Sequence, residues 1–146
     1  MKLGFDLDGA IGYQIELTEQ TLKRELIKSF NREGIKITPN QWVLLYRLWN
    51  KDGLTQVELS DKTFKDKANI TRIIDLLVKK GLVTRVSDSN DRRVFRIVLT
   101  EEGNELKKIV PKIVKAHIDQ AVKGIKKKDL DCALKVMNEI RANFAQ

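Results

Sequence analysis

With 146 residues and a single cysteine, the chain has room for one domain with a sizeable core and no disulfide framework. Hydrophobic content of 42%, charged content of 33% and a net charge of +8 fit a soluble, helix-rich globular protein. They favour a polyanionic partner, nucleic acid before anionic membrane. Met1 to Gly9 lacks a long apolar run and carries Asp6 and Asp8, so it does not read as a signal peptide. No apolar run reaches transmembrane length, and the expected location is cytoplasmic.

Ile11, Ile15, Thr18, Leu22, Leu26 and Phe30 recur at helical spacing and predict a first helix over 11–32, with Gly34 just past its end. A stripe this long on an N-terminal helix needs a partner. Thr38 and Pro39 open a second helix. Thr38 is a good N-cap, Pro39 suits the first helical position and Gln41 completes a capping box, while Ile37 and Trp42 can form the hydrophobic staple. Trp42, Val43, Leu44, Leu45, Tyr46, Leu48 and Trp49 leave little polar face, which predicts burial on most sides. Gly53 marks a turn. Thr55 to Glu58 is a second capping box, opening a short third helix that ends near Lys62. Asp66 caps a fourth helix running to about Lys80, with Ile70, Ile73, Ile74 and Leu77 inward and Gly81 closing it. Two capped helices about four residues apart are the helix-turn-helix signature.

Leu82 to Ser87 and Val94 to Leu99 read as the strands of a hairpin. Asp88, Ser89, Asn90 and Asp91 form its tip, followed at once by Arg92 and Arg93. Phe95, Ile97 and Leu99 alternate with Val94, Arg96 and Val98, the pattern of a half-buried strand. Thr100 caps a long fifth helix whose positive end suits Glu101 and Glu102. Its stripe is Leu106, Val110, Ile113, Val114, His117, Ala121 and Ile125, about 37 Å at ~1.5 Å per residue. Pro111 is expected to kink or open it. A sixth helix over about 128–144 turns Leu130, Ala133, Leu134, Met137, Ile140 and Phe144 inward. The expected fold class is mainly α with a small antiparallel β-wing, six helices in one domain over 1–146. Its winged lobe spans 38–100, flanked by helices over 10–33 and 101–146.

From Lys62 to Arg96 there are ten basic residues (Lys62, Lys65, Lys67, Arg72, Lys79, Lys80, Arg85, Arg92, Arg93 and Arg96) against four acidic ones, six of the chain's eight net positive charges. Any one of these is as easily a solvated surface charge; the clustering is what points to nucleic acid. On the fourth helix the inward set leaves Lys67, Ala68, Asn69, Thr71, Arg72 and Asp75 outward near its N-terminal half, the half that meets base edges in this motif. Asn can read adenine and Arg guanine by paired hydrogen bonds, and Ala68 suits a thymine methyl. The bland alternatives are a second capping contact near Asp66 for Asn69 and a salt bridge to Asp75 for Arg72.

The tip and second strand, with Asp91-Arg92-Arg93, Leu99-Thr100 and Gly103, resemble the multiple antibiotic resistance regulator (MarR) family of winged helix-turn-helix transcription factors. Ile70-Thr71-Arg72 and Lys79-Lys80-Gly81-Leu82-Val83 match its recognition helix and exit. The motifs cover about 38–103. The resemblance implies a homodimer formed through the N- and C-terminal helices, binding a pseudo-palindromic operator in double-stranded DNA, mostly as a repressor. It places Lys67, Ala68, Asn69, Thr71 and Arg72 in the major groove. It assigns Asp91, Arg92 and Arg93 to the wing, with the acidic residue holding an arginine that enters the minor groove. It also implies a small aromatic or phenolic effector, for which Tyr13, Trp42, Tyr46 and His117 are the candidate pocket residues. An aromatic stripe at helical spacing is more often core, and a lone histidine on an apolar stripe is more often a hydrogen-bonded interface residue than a metal ligand.

Some relatives sense oxidants through a cysteine near the N-terminal helix. Cys132 is not at that place, so no redox role is carried over. The lysines Lys107, Lys108, Lys112, Lys115, Lys123, Lys126 and Lys127 read as a solvated face. No enzyme is expected: one His, one Cys, no phosphate-cradling glycine loop and no credible triad. No cofactor or metal is expected. The competing reading from another class is a winged-helix protein–protein interaction module with only nonspecific nucleic-acid affinity.

Overall fold

The structure, a computed structural model, describes residues 3–64 and 66–145. Lys65, one of the ten basic residues counted above, lies outside the described residues. The order is α1 (Ile11–Arg32), α2 (Pro39–Asn50), β1 (Leu54–Thr55), α3 (Gln56–Lys62), α4 (Lys67–Lys79), β2 (Val83–Ser87), β3 (Phe95–Leu99), α5 (Glu101–Glu105), α6 (Val110–Ala121) and α7 (Lys127–Phe144). A 3-10 turn, Leu106–Lys108, joins α5 to α6.

The boundaries follow the local chemistry. Thr38 and Gln41 make a reciprocal capping box, each side-chain oxygen accepting the other's backbone N–H at 3.1 Å. Thr55 and Glu58 repeat the arrangement at 3.2 and 3.1 Å. At the end of α4 the amide of Gly81 donates to Val78 O and that of Leu82 to Leu77 O, at 2.9 and 3.0 Å. The paired bonds need a left-handed residue between them, and Gly81 supplies φ +73°.

The fold class is as expected, but the described residues form seven α-helices instead of six. The predicted fifth helix is broken into α5, the 3-10 turn and α6, with Pro111 in the first turn of α6. Proline has no N–H to donate back along the helix, and its ring crowds the preceding turn. The last part ends early: α6 stops at Ala121, Gly124 takes φ +77° and Ile125 is exposed in the following turn.

The three strands pair antiparallel in the order β1-β3-β2. The two-residue β1, unannounced by any alternation, sets Leu54 against Ile97 and Thr55 against Arg96. The alternation predicts Phe95 inward with Ile97 and Leu99, yet it is 46% exposed while those two are buried. All three share a face, but the covering layer of helices ends before the hairpin tip. The core joins Phe30 of α1, Leu44, Leu45 and Leu48 of α2, the α4 stripe, and Val110 and Val114 of α6.

The outer helices do not bury their stripes within one chain. On α1 only Leu26 and Phe30 are buried; Ile11 and Leu22 are exposed. Helix α7 fully buries none of its residues; of the predicted inward set Leu130, Met137 and Ile140 are half-buried, and Ala133, Leu134 and Phe144 are exposed. Leu134 is 52% and Phe144 84% exposed. No helix among the described residues is long and apolar enough to cross a membrane.

Candidate nucleic-acid interface

Helix α4 is locked from both sides. Its N-cap Asp66 accepts from the amides of Ala68 (3.0 Å) and Asn69 (3.3 Å), filling donors that an open helix end would leave free. Ile70, Ile73, Ile74 and Leu77 are buried against the lobe. The face left outward carries Lys67, Ala68, Thr71 and Arg72, all exposed, with Asn69 half-buried beside them. Arg72 Nη2 donates to Asn69 Oδ1 at 2.7 Å, so Arg72 does not make the alternative salt bridge to Asp75, while the Asn69 amide does make the second capping contact on Asp66. Asp75 instead pairs with Arg85 of β2. Gln56 Nε2 donates to Thr71 Oγ1 at 2.6 Å, and that hydroxyl donates to Lys67 O at 2.9 Å.

The hairpin tip is built by one carboxylate. Asp88 Oδ2 accepts from the amides of Asn90 (3.0 Å) and Asp91 (3.1 Å), and its Oδ1 accepts from Arg96 Nε at 2.6 Å. The Arg96 guanidinium, helped by those amides, holds the Asp88 carboxyl below the usual carboxylate range. A carboxyl so lowered contributes stability above its unfolded value, lost as pH falls through its folded one. Protection of the Asn90 and Asp91 amides, relative to the intrinsic exchange rate at the same pH, is therefore expected to fall below about pH 4, and Asp88→Asn to lack that protection already at neutral pH. Slow exchange in that variant would remove Asp88 as the organiser of the tip.

At the tip, Arg93 Nε donates to Asp91 Oδ1 at 3.2 Å and Nη2 to Asp91 Oδ2 at 3.4 Å. The backbone N of Arg93 donates to the same Oδ1 at 3.0 Å. The Arg93 side chain is still 90% exposed, so the guanidinium is oriented without being hidden. A groove of about 470 Å³ runs between hairpin and helices, with Arg93, Val94 and Phe95 on one side and Val57, Lys67 and Ile70 on the other. Of the sequence-predicted recognition and wing residues, Lys67 and Arg93 line this groove; Ala68, Asn69, Thr71, Arg72, Asp91 and Arg92 do not. A second cleft, about 230 Å³, flanks α4 on its other side and includes Lys23, Asn69 and Arg72.

The four candidate effector-pocket residues are not assembled. His117 lines a cleft of about 590 Å³ between α1 and α6 with Thr18, Glu25, Ser29 and Arg32. Tyr13, Trp42 and Tyr46 do not line it. Trp42 and Tyr46 sit edge-to-face on α2 with ring centroids 5.4 Å apart. Helical spacing put the two aromatic residues together, but it carries no information on which distant helix faces them.

Three contributors escape sequence reasoning. Gln56 bridges the helix-turn-helix, and its place in the first turn after a strong cap is the only signal. Arg47, 5.8 Å from the Tyr46 ring, keeps a buried Nε with no partner. Lys80 donates to Lys36 O and Gln41 Oε1, each at 2.8 Å, tying the end of α4 to the start of α2. Its amine is lowered from the usual lysine range by burial. Neither Arg47 nor Lys80 has a local signal for these roles.

A capped helix pair joined to an arginine-tipped hairpin through a three-stranded sheet defines a winged helix-turn-helix protein. Residues 37–95 match the MarR family model. A MarR transcriptional regulator from Methanosarcina mazei Go1 is 29% identical over 92% of this chain and 98% of that one, with a TM-score of 0.77. The likeness therefore extends beyond the lobe to the flanking helices. The chain is similar to MarR-family transcriptional regulators and shares their winged-helix fold. Two more distant structures share the fold. BpsR of Bordetella bronchiseptica, whose DNA binding is regulated by 6-hydroxynicotinic acid, is 17% identical over 99% of this chain and 100% of that one, with a TM-score of 0.86. An Escherichia coli MarR mutant complexed with operator DNA is 23% identical over 95% and 99%, with a TM-score of 0.83.

Proposed function

We propose that the protein is a homodimeric transcriptional regulator that binds a pseudo-palindromic operator and represses by occlusion. In this reading the lobe over 38–100 contacts DNA. Lys67, Ala68, Asn69, Thr71 and Arg72 lie in the major groove, and Asp91, Arg92 and Arg93 lie on the flanking backbone and minor groove. The helices over 10–33 and 101–146 form the dimer, within a single domain spanning 1–146. The observation that carries the reading is the groove shared by Lys67 at the start of α4 and the pre-oriented Arg93 of the hairpin. A protein–protein module has no need of a carboxylate spent on aiming an exposed arginine. The match of residues 37–95 to the MarR family model and the likeness to the E. coli MarR mutant complexed with operator DNA support the same reading.

Selection of bound sequences from a random DNA pool is expected to return a two-fold symmetric consensus, with half-sites about one helical turn, ~34 Å, apart. Recovery of DNA without any consensus, with affinity set by salt alone, would favour the interaction module. The unburied stripes of α1 and α7 support the dimer. Light scattering at micromolar concentration is expected to give twice the 16.8 kDa chain mass. A clean monomer that binds operator tightly would sink that part of the reading.

The reading includes a small aromatic acid as effector, supported by the cleft beside His117 and by the ligand regulation of BpsR. Salicylate-like compounds are expected to raise the melting temperature and to bind free protein more tightly than DNA-bound protein. By linkage they lower operator affinity by the same factor. Compounds that stabilise the protein yet leave operator affinity unchanged would rule out an effector site.

A further inference from the structure

Two exposed segments away from the DNA-binding face are opposite in charge and alike in apolar content. The arm Leu3–Ala10, ahead of α1, is an ordered turn. Ala10 N donates to Leu7 O (3.0 Å), Gly9 N to Asp6 Oδ2 (3.2 Å), and Gln14 Nε2 to Asp8 O (2.6 Å). Leu3, Phe5 and Leu7 nevertheless stand 67%, 67% and 54% exposed. From Leu3 to Leu22 the chain carries Asp6, Asp8, Glu16 and Glu19 and neither lysine nor arginine; Lys2 precedes this stretch, outside the described residues. The turn between α6 and α7 is the converse. It holds Lys123, Lys126, Lys127 and Lys128 within six residues, and Ile125 and the nearby Ile118 are each 51% exposed. Of these lysines only Lys127 has a carboxylate partner among the described residues, Asp131 at 2.7 Å.

Helices α1 and α6 lie along each other. Leu26 and Phe30 of one and Val110 and Val114 of the other are in the core, so the ends near Ile11 and Ala121 both point away from the lobe. The arm and the lysine turn therefore sit at the same pole of the molecule.

We propose that the arm Leu3–Ala10 of one protomer docks on the Lys123–Lys128 turn of a second copy. Leu3, Phe5 and Leu7 cover Ile118 and Ile125, and Asp6 and Asp8 face Lys123, Lys126 and Lys128. The proposal rests on the dimer reading above and says which surfaces close it. Within one chain both segments stay bare although the arm is held by its own hydrogen bonds; a two-fold axis brings each arm to the other's turn reciprocally. A polyanion such as DNA would satisfy the lysines but leave three large apolar side chains in water and be repelled by the two aspartates. Exposed ion pairs are screened, so this docking makes dimer affinity salt-dependent.

The full-length protein is tested by sedimentation velocity across a concentration series at 0.05 and 0.5 M salt. The wild type is expected to dimerise, more weakly at high salt. Asp8→Lys, and separately Lys126→Glu with Lys128→Glu, are each expected to weaken the dimer by on the order of tenfold at low salt. Combining all three substitutions is expected to restore part of that affinity. All three sites are exposed, and an unchanged circular-dichroism melt of dilute protein checks folding. Cross-linking fixes the topology. Two chains carrying Cys132→Ser, one with Phe5→Cys and the other with Ile125→Cys, are expected to give a mixed disulfide dimer on oxidation. A dimeric wild type whose affinity ignores all these charges, or variants that cross-link only as homodimers, overturns the arm proposal alone. A monomeric wild type overturns the dimer reading beneath it.

Discussion

Gly103→Ala is expected to destabilise the protein by about 3 kcal/mol, more than alanine at any other glycine among the described residues. A Cβ at Gly103 would lie 2.1 Å from Leu82 O and 3.2 Å from Leu99 Cδ2. Neither neighbour is free to yield. Leu82 O already accepts from Thr100 N at 3.1 Å, and Leu99 is a core residue at the end of β3. Helix α5 would have to move, and two further bonds move with it. Gly103 N donates to the N-cap oxygen of Thr100 at 3.1 Å, and Gly103 O accepts from the buried Trp49 Nε1 at 2.9 Å. Overpacking costs typically ~1–3 kcal/mol, and a buried indole N–H left without its acceptor a similar amount. Gly12, on an exposed face of α1 with nothing near its Cβ position, is the control. Gly12→Ala is expected to gain about 0.5–1 kcal/mol. Urea unfolding at one fixed protein concentration compares them, since a dimer's apparent stability depends on concentration. A destabilisation under about 1 kcal/mol at Gly103 would mean that α5 can slide on β2 without breaking either bond.

Arg93→Ala is expected to weaken operator binding by about 1–3 kcal/mol and to leave folding unchanged. Its guanidinium is almost fully exposed and has Asp91 as its partner. The substitution is also expected to flatten the dependence of log affinity on log salt, by up to ~0.9 for each phosphate no longer neutralised and twice that in a dimer. The sharper expectation concerns Asp91→Ala. Removing a negative charge from a DNA-facing hairpin should tighten binding if the tip is only a charged loop. Under the reading proposed here it weakens binding. Asp91 takes three hydrogen bonds from Arg93, two from the guanidinium and one from the backbone. An arginine held in place gives up less entropy on entering a narrow groove. As a plain surface pair the two would be worth only ~0–1 kcal/mol of stability and nothing for binding. Operator titrations of the two variants at several salt concentrations separate the cases, and tighter binding by Asp91→Ala would sink the orienting role.

Much of this molecule was readable in one dimension because its boundaries are local chemistry. Thr38, Thr55, Asp66 and Thr100 cap the helices they were expected to cap, since a cap reaches only three residues along the chain. The break at Pro111 and the stop at Gly81 are equally local. The Asp91–Arg93 pair spans two residues across a turn, and motif and geometry agree on it.

The rest depended on which distant surfaces meet. Nothing near Gly103 in the sequence says that Leu82 O will come within 2.1 Å of its missing Cβ, or that Trp49 will reach across 54 residues to its carbonyl. Asp75 chose Arg85 over Arg72 because β2 folds back along α4, a partner no helical spacing could suggest. Phe95 kept the strand's alternation without its burial, because burial depends on where the neighbouring layer ends. His117 and the aromatic pair on α2 were parted for the same reason: a stripe says which residues share a face, and only the packed fold decides what that face looks at.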